Sequence, residues 1–291
     1  MSTFARLSTA SFVAVAAALA ACSHSDAKYA AASDSAAPAV APNVVTVTAR
    51  DFAFDAPDSI PAGLTTLHLV NSGKQLHHMQ LIKLDSGKTV ADFAKAMKSM
   101  KPDSPLPSWA HEAGGVNAPR PGGGEASATL TMDPGTYAMI CVIPGPDGVP
   151  HVMKGMARAL TVVPSSAPAA TMPVADDTVQ LSDYAFSMSS PITAGTHTIR
   201  VVNDGPQPHE LFIARLAPGK TAADLAVWVL HQQGPPPADP MGGVPAMSVG
   251  EDEFVTINFQ PGTYGFFCFV PDAKDGKPHA AHGMVKQFTV S

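Results

Sequence analysis

Apolar and polar positions along most of this chain alternate with a period of two, the spacing of strands that bury one face. Leu64, Thr66, His68 and Val70 point one way, while Thr65, Leu67 and Leu69 point the other. Residues 129–132 run into a Pro-Gly turn, after which Tyr137, Met139 and Cys141 share one face of a further strand. The pattern breaks once in each half of the chain. Thr89 followed three residues on by Asp92 is close to a helix capping box, and Thr221 with Asp224 repeats it. Val90, Phe93, Met97 and Met100 then follow helical spacing, which predicts a helix with a packing face. A Pro/Gly-rich stretch follows each helix, with Gly-Gly-Val at 114–116 and again at 242–244. These stretches are expected as ordered surface loops near the mouth of any site.

The same pieces occur twice, in the same order and at similar spacing. FAFDAPDSIPAGLTTLHLVNSG at 52–73 matches YAFSMSSPITAGTHTIRVVNDG at 184–205. LHHMQLIKL at 76–84 matches PHELFIARL at 208–216, and DPGTYAMIC at 133–141 matches QPGTYGFFC at 260–268. The chain therefore divides into a first repeat at 43–163, a Pro/Ala/Ser-rich linker at 164–173 and a second repeat at 174–291. Several short strands per repeat, separated by turn signals, predict an all-β protein of two tandem Greek-key sandwiches, each with one inserted helix.

Composition agrees, with 28 Pro and 23 Gly in 291 residues and only 14% charged residues. A formal charge of -6 and the lack of any Lys/Arg cluster leave no footprint for nucleic acid. Residues 1–22 read as a secretory leader, with Arg6 ahead of an Ala-rich apolar run too short to span a bilayer. The run ends in Leu19-Ala20-Ala21-Cys22, which resembles a bacterial lipobox. Cys22 is then the expected lipidation site, and residues 23–42 a polar tether from the membrane. Export to the cell envelope follows, facing the periplasm, with Ser23 resembling the outer-membrane sorting pattern if the source is Gram-negative.

Only three cysteines are present, and Cys141 and Cys268 occupy the same place in the two repeats. Each opens a Pro/Gly-rich loop that leads to a histidine, four further residues and a methionine: CVIPGPDGVPHVMKGM and CFVPDAKDGKPHAAHGM. Thiolate, imidazole and thioether are soft donors. With a second histidine they make the trigonal His₂Cys site with weak axial Met that suits copper. Two plainer readings compete. Either cysteine alone could be a small buried hydrophobe, and Cys141 could pair with Cys268, although both should point into their own sandwiches. In an oxidising compartment, metal ligation also explains why an unpaired thiol persists.

NSGKQLHHMQL and NDGPQPHELFI resemble the cupredoxin stretch in which an Asn-x-Gly turn precedes the first copper histidine. PGTYAMIC and PGTYGFFC resemble the strand leading to its cysteine, and HVMKGM and HAAHGM its closing His and Met. The resemblance covers both repeats and implies one type 1 copper centre in each: His77, Cys141, His151 and Met156, then His209, Cys268, His279 and Met284. Repeat alignment prefers His77 to His78, which lies opposite Glu210, and His279 to His282, which lies opposite Lys154. His282 is a supporting group or substitute ligand in this reading. The Cys-to-His loops, with nine and ten intervening residues, are longer than in short-loop cupredoxins and closer to copper nitrite reductases. Ile140, Phe267 and Phe269 are expected to keep water from the sites.

The resemblance implies a one-electron carrier, held to the membrane by lipid and working with a redox partner protein or a copper donor or acceptor. Copper storage and handover, or a metal-free binding module, is the alternative. An oxidase or nitrite-reductase-like enzyme fits less well. No His-x-His pair occurs, and no histidine flanks either cysteine.

Overall fold

A computed structural model describes residues 40–100, 105–231 and 234–291. The expected leader, the lipidation site at Cys22 and the tether up to residue 39 lie outside them. The first repeat contains β1 (Asn43–Arg50), β2 (Ala53–Asp55), β3 (Ser59–Pro61), β4 (Gly63–Asn71) and β5 (Met79–Leu84). After α1 (Val90–Ser99) come β6 (Ala110–Val116), β7 (Gly124–Met132), β8 (Gly135–Ile140) and β9 (Ala157–Val163). The second repeat contains β10 (Asp177–Ser182), β11 (Ala185–Met188), β12 (Gly195–Asn203) and β13 (His209–Leu216). It continues through α2 (Ala222–His231), β14 (Ala238–Met247), β15 (Asp252–Phe259), β16 (Gly262–Phe267) and β17 (Val285–Val290). No helix among the described residues is long and apolar enough to cross a membrane.

In the first repeat, β2-β1-β4-β7 form one sheet and β6-β5-β8-β9-β3 the other. The chain crosses between them from β2 to β3, β3 to β4, β4 to β5, β6 to β7 and β7 to β8. This leaves β1 parallel to β4 while β4 and β7 run antiparallel, a Greek-key sandwich. The second repeat follows the same plan, with β10 parallel to β12 and β13 paired to both β14 and β16. Across the repeats, β7 pairs with β15 and β6 with β14, so each sheet runs on through both, with eight and nine strands.

The period-two pattern is realised directly. Thr65, Leu67, Leu69 and Asn71 of β4 are buried, while Thr66, His68 and Val70 on the other face are half-buried and Leu64 at the strand's start departs from them in being buried. Leu67 and Leu69 meet Leu81 of β5 and Met139 and Cys141 from β8 and its end inside one core that also takes in the second repeat. Each large side chain fully withdrawn from water there contributes roughly 1.5–3 kcal/mol. The helix start at Thr89 is a true capping box, and Phe93 is fully buried against Ile82, Leu84 and Ile140. In the second repeat the Thr221 amide and hydroxyl donate to Asp224 Oδ2 at 2.7 and 2.8 Å.

One expectation fails. The Gly-Gly-Val stretches are not surface loops but lie in β6 and β14, the two strands that join the repeats. Gly115 (φ +124°) and Gly243 (φ +115°) sit beside shifts of strand register. A Cβ there would stand 2.2 Å from the Met79 carbonyl oxygen and 1.9 Å from that of Leu211. Glycine permits this backbone approach and removes the side-chain alternation by which a strand is read.

Candidate metal centres

The turn after β4 seats the first histidine. Buried Asn71 accepts from the Gly73 amide at 3.1 Å and donates to the Gln75 carbonyl at 3.0 Å. Asn203 makes the same two bonds to Gly205 and Gln207. Gly73 has to be glycine, since a Cβ would lie 2.6 Å from His77 Nε2 and 2.5 Å from Asp51 Oδ1. Gly205 stands in the same relation to His209, at 2.5 Å.

The cysteine, second histidine and methionine are fixed by backbone bonds that close the loop between them. The Val152 amide donates to the Cys141 carbonyl at 2.7 Å, Met156 to His151 at 3.0 Å and Cys141 to Met156 at 3.3 Å. Ala280, Met284 and Cys268 repeat these bonds at 2.7, 3.0 and 3.3 Å. The long loops are therefore pinned at their ends, whatever their length. A 3₁₀ turn carries each histidine, and Gly155 and Gly283 end it in the left-handed region, which returns the chain to the methionine.

The result is the same constellation twice. In the first repeat, His77 Nδ1 and His151 Nδ1 are 3.1 Å apart, with Cys141 Sγ 4.0 and 3.4 Å from them. In the second, His209 Nδ1 and His279 Nδ1 are 3.0 Å apart, with Cys268 Sγ at 3.8 and 3.4 Å. All six side chains are completely buried, and so are Met156 and Met284, which pack in the same core as the cysteines. An ion about 2.0 Å from nitrogen and about 2.3 Å from sulfur needs donors spaced about 3.5 Å apart. Both triangles meet that requirement, and two imidazoles with one thiolate are the donor set of type 1 copper. Cys141 and Cys268 are free, each sulfur lying against the two histidines of its own repeat.

Aspartates set the imidazole tautomers. His77 Nε2 lies 2.7 Å from Asp51 Oδ1, and His209 Nε2 lies 3.0 Å from Asp183 Oδ1. A carboxylate only accepts, so Nε2 carries the proton and Nδ1 offers its lone pair to the centre of the triangle. Burial raises the Asp51 carboxyl, but the His77 bond and the Lys74 and Gln75 amides outweigh it and hold the group ionised. His151 Nε2 is 2.9 Å from Gln75 Oε1, whereas His279 Nε2 has no hydrogen bond and faces Asp272 Oδ2 at 3.6 Å.

Burial also sets the protonation of the ligands. It lowers His151 and His279 to about 4 and pushes the Cys141 thiol up to about 12, with Cys268 well above its usual value. Metal-free, each triangle is thus two neutral imidazoles and a thiol at neutral pH.

The neighbouring histidines play other parts. His78 is buried and accepts the Val142 amide on Nε2 at 3.1 Å, and burial lowers its pKa to about 3. Glu210 takes its place in the second repeat, accepting the Phe269 amide at 2.6 Å and Asn117 Nδ2 from the first repeat at 3.0 Å. His282 is bonded to Asp275 at 3.0 Å rather than turned toward Cys268. The expectation that Ile140 and Phe267 shield the sites is overturned. Neighbours of a strand cysteine point to the opposite face, and they pack in the separate clusters with α1 and α2. Phe269 stacks on Phe267. The sites are walled by Phe52, 5.0 Å from the His151 ring, and Tyr184, 5.6 Å from the His279 ring.

Asp51, Asp183 and the Phe52/Tyr184 walls escape a search confined to metal-ligand residue types. The signal was present in the duplication, where DFAF at 51–54 and DYAF at 183–186 match.

No known protein family and no curated protein matches this chain. Similar solved structures include a dithionite-reduced auracyanin from the photosynthetic bacterium Roseiflexus castenholzii. It is 25% identical, covering 43% of this chain and 99% of that one at a TM-score of 0.28. Auracyanin A, a "blue" copper protein from Chloroflexus aurantiacus, is 25% identical over 42% of this chain and 99% of its own, TM-score 0.29. Copper nitrite reductase from Nitrosomonas europaea is 15% identical over 85% of this chain and 93% of its own, TM-score 0.24.

Proposed function

We propose that each repeat binds one copper ion and that the protein carries single electrons outside the cytoplasm. The observation that carries this reading is the pair of buried triangles, each of two Nδ1 atoms and one Sγ spaced 3.0–4.0 Å apart. His77, Cys141 and His151 would hold one ion with Met156 as the weak axial donor, and His209, Cys268 and His279 the other with Met284. Copper, when bound, supplies a one-electron change between Cu(I) and Cu(II). The chain supplies the rest. Asp51 and Asp183 keep the imidazoles oriented, and the loop-closing bonds keep the sulfur and second histidine in place, so little has to move when an electron arrives.

Complete burial of all six ligand side chains supports a carrier over an enzyme. A substrate cannot reach donors that have no exposed surface, so turnover would need a further metal site, whereas an electron carrier needs only these. The Leu19-Ala20-Ala21-Cys22 motif supports attachment to the cell envelope by lipid, where the carrier would meet a redox partner protein.

Adding Cu(II) to the purified protein tests the reading. The expected result is an intense visible thiolate-to-copper band with narrow copper hyperfine splitting, at two ions per chain. Cys141→Ser and Cys268→Ser should each remove one centre and leave the other. A colourless wild-type protein would sink the proposal, and loss of all colour from one substitution would replace two sites by one.

A further inference from the structure

The two centres share their ligands but not the charge beside them. Pro144 bridges Pro150 and Pro271 bridges Pro278, and inside these bridges the Gly145 and Asp272 amides donate to Val149 and Lys277 at 3.0 and 2.8 Å. Gly145 and Asp272 are therefore the same place in the two loops. What stands there differs in sign.

In the second repeat, the Asp272 carboxylate is 2% exposed and lies 3.6 Å from His279 Nε2. The Tyr184 hydroxyl donates to it at 2.5 Å, Gln207 at 3.2 Å and the Lys274 amide at 2.8 Å, which together keep it ionised. In the first repeat, the space a side chain at 145 would enter holds the Lys154 ammonium, the Asp147 carboxylate and the Gln75 amide, 2.6, 3.0 and 3.0 Å from the position of a Cβ. The ammonium pairs with Asp147 at 2.8 Å, and His151 leans on the neutral amide. Some of the other influences are shared. Each first histidine has its aspartate, and each sulfur has the same two amides facing it, from His78 and Ile143 or from Glu210 and Val270. Glu210 also bears on Cys268 where the first repeat has the neutral His78, and it acts in the same direction as Asp272, so the second centre is the more negative of the two, in a buried setting where water screens charge poorly.

A negative charge beside a metal favours its higher oxidation state. We infer that Asp272 makes the second-repeat centre the stronger reductant of the two. This rests on the copper reading above. With copper bound, the chain would then hold two one-electron carriers of unequal potential rather than a pair of equivalent ones.

Potentiometric titration of copper-loaded, full-length variants, followed by the thiolate band, tests this. Cys141→Ser keeps only the second centre and Cys268→Ser only the first. The second centre should be at least tenfold harder to reduce, about 59 mV for one electron. Asp272→Asn in the Cys141→Ser chain should close part of that gap. Gly145→Asp in the Cys268→Ser chain should lower the first centre, and it serves alone if Asp272→Asn does not fold. Two coloured centres of equal or reversed potential, or potentials indifferent to both charge changes, overturn the inference. Two colourless variants overturn the copper reading itself.

Discussion

His77 hands its Nε2 proton toward Asp51 Oδ1 across 2.7 Å, and the opposite nitrogen of the same ring lies 3.1 Å from His151 Nδ1. The aspartate touches no other ligand of the proposed centre, yet it decides which nitrogen is free to bind. Its own position is held by the Lys74 and Gln75 amides, which belong to the turn that carries His77. Ligand, aspartate and turn are one unit.

Asp51→Ala should therefore weaken copper binding in the first repeat by about 10–100-fold while the second repeat is unchanged. Asp183→Ala should do the reverse. Competition against a copper chelator, read site by site in the single-cysteine backgrounds, checks both. Equal affinity in wild type and Asp51→Ala would make the aspartate a bystander.

The ligands and the sandwich were legible in the sequence because both depend on period and repetition. Tyr137, Met139 and Cys141 announce a strand with the cysteine on its inner face, and the second repeat confirms the spacing. What stayed hidden was whatever needs three dimensions. Gly115 and Gly243 belong to strands, but without side chains they show no alternation. Ile140 and Phe267 adjoin the cysteines in sequence and point away from them for the same period-two reason. Asp51 lies 26 residues before His77 and meets it only because β1 and β4 run parallel.

Gly73 offers a steric test of the ligand seat. Its missing Cβ would fall between the Asp51 carboxylate and the His77 ring, at 2.5 and 2.6 Å, so Gly73→Ala has to push one of them aside. The expected cost is about 1–3 kcal/mol in the metal-free protein, as for other overpacked sites. First-repeat copper affinity should fall at least tenfold, with the second-repeat band intact. Chemical denaturation and copper titration of the same variant give both numbers. A variant as stable and as tight as wild type would show that the seat is more pliant than its geometry.

Acid should act on copper binding in two stages. Burial holds His151 and His279 at about 4 and lowers His77 and His209 below 6.5, so above pH 6.5 the imidazoles are already neutral and only the thiol must lose a proton. Apparent affinity per centre should then fall about tenfold for each pH unit. Nearer pH 4 the imidazoles begin to compete and the dependence should steepen. A slope of two protons or more at pH 6–7 would mean that the histidines titrate near the free value of about 6.5.

The junction between repeats carries a separate pH dependence. Glu253 of β15 is buried and accepts the Gly115 amide on Oε1 at 2.9 Å, while Oε2 has no hydrogen bond. Burial, helped by the nearby Glu251 and Asp252, raises its pKa well above 4.5, so the folded protein keeps this carboxyl protonated. Below about 4.5 both folded and unfolded chains hold the proton and the fold keeps its full stability. As pH rises, the unfolded chain releases the proton first and the fold loses up to about 1.4 kcal/mol per unit, until the folded pKa is passed. Glu253→Gln keeps an acceptor for Gly115 and cannot ionise. It should flatten this decline and unfold at higher urea than wild type at pH 8, by about 1–3 kcal/mol in the metal-free protein. Parallel urea curves at pH 5 and pH 8 decide the matter, since a variant with the wild-type pH dependence would place the charge elsewhere.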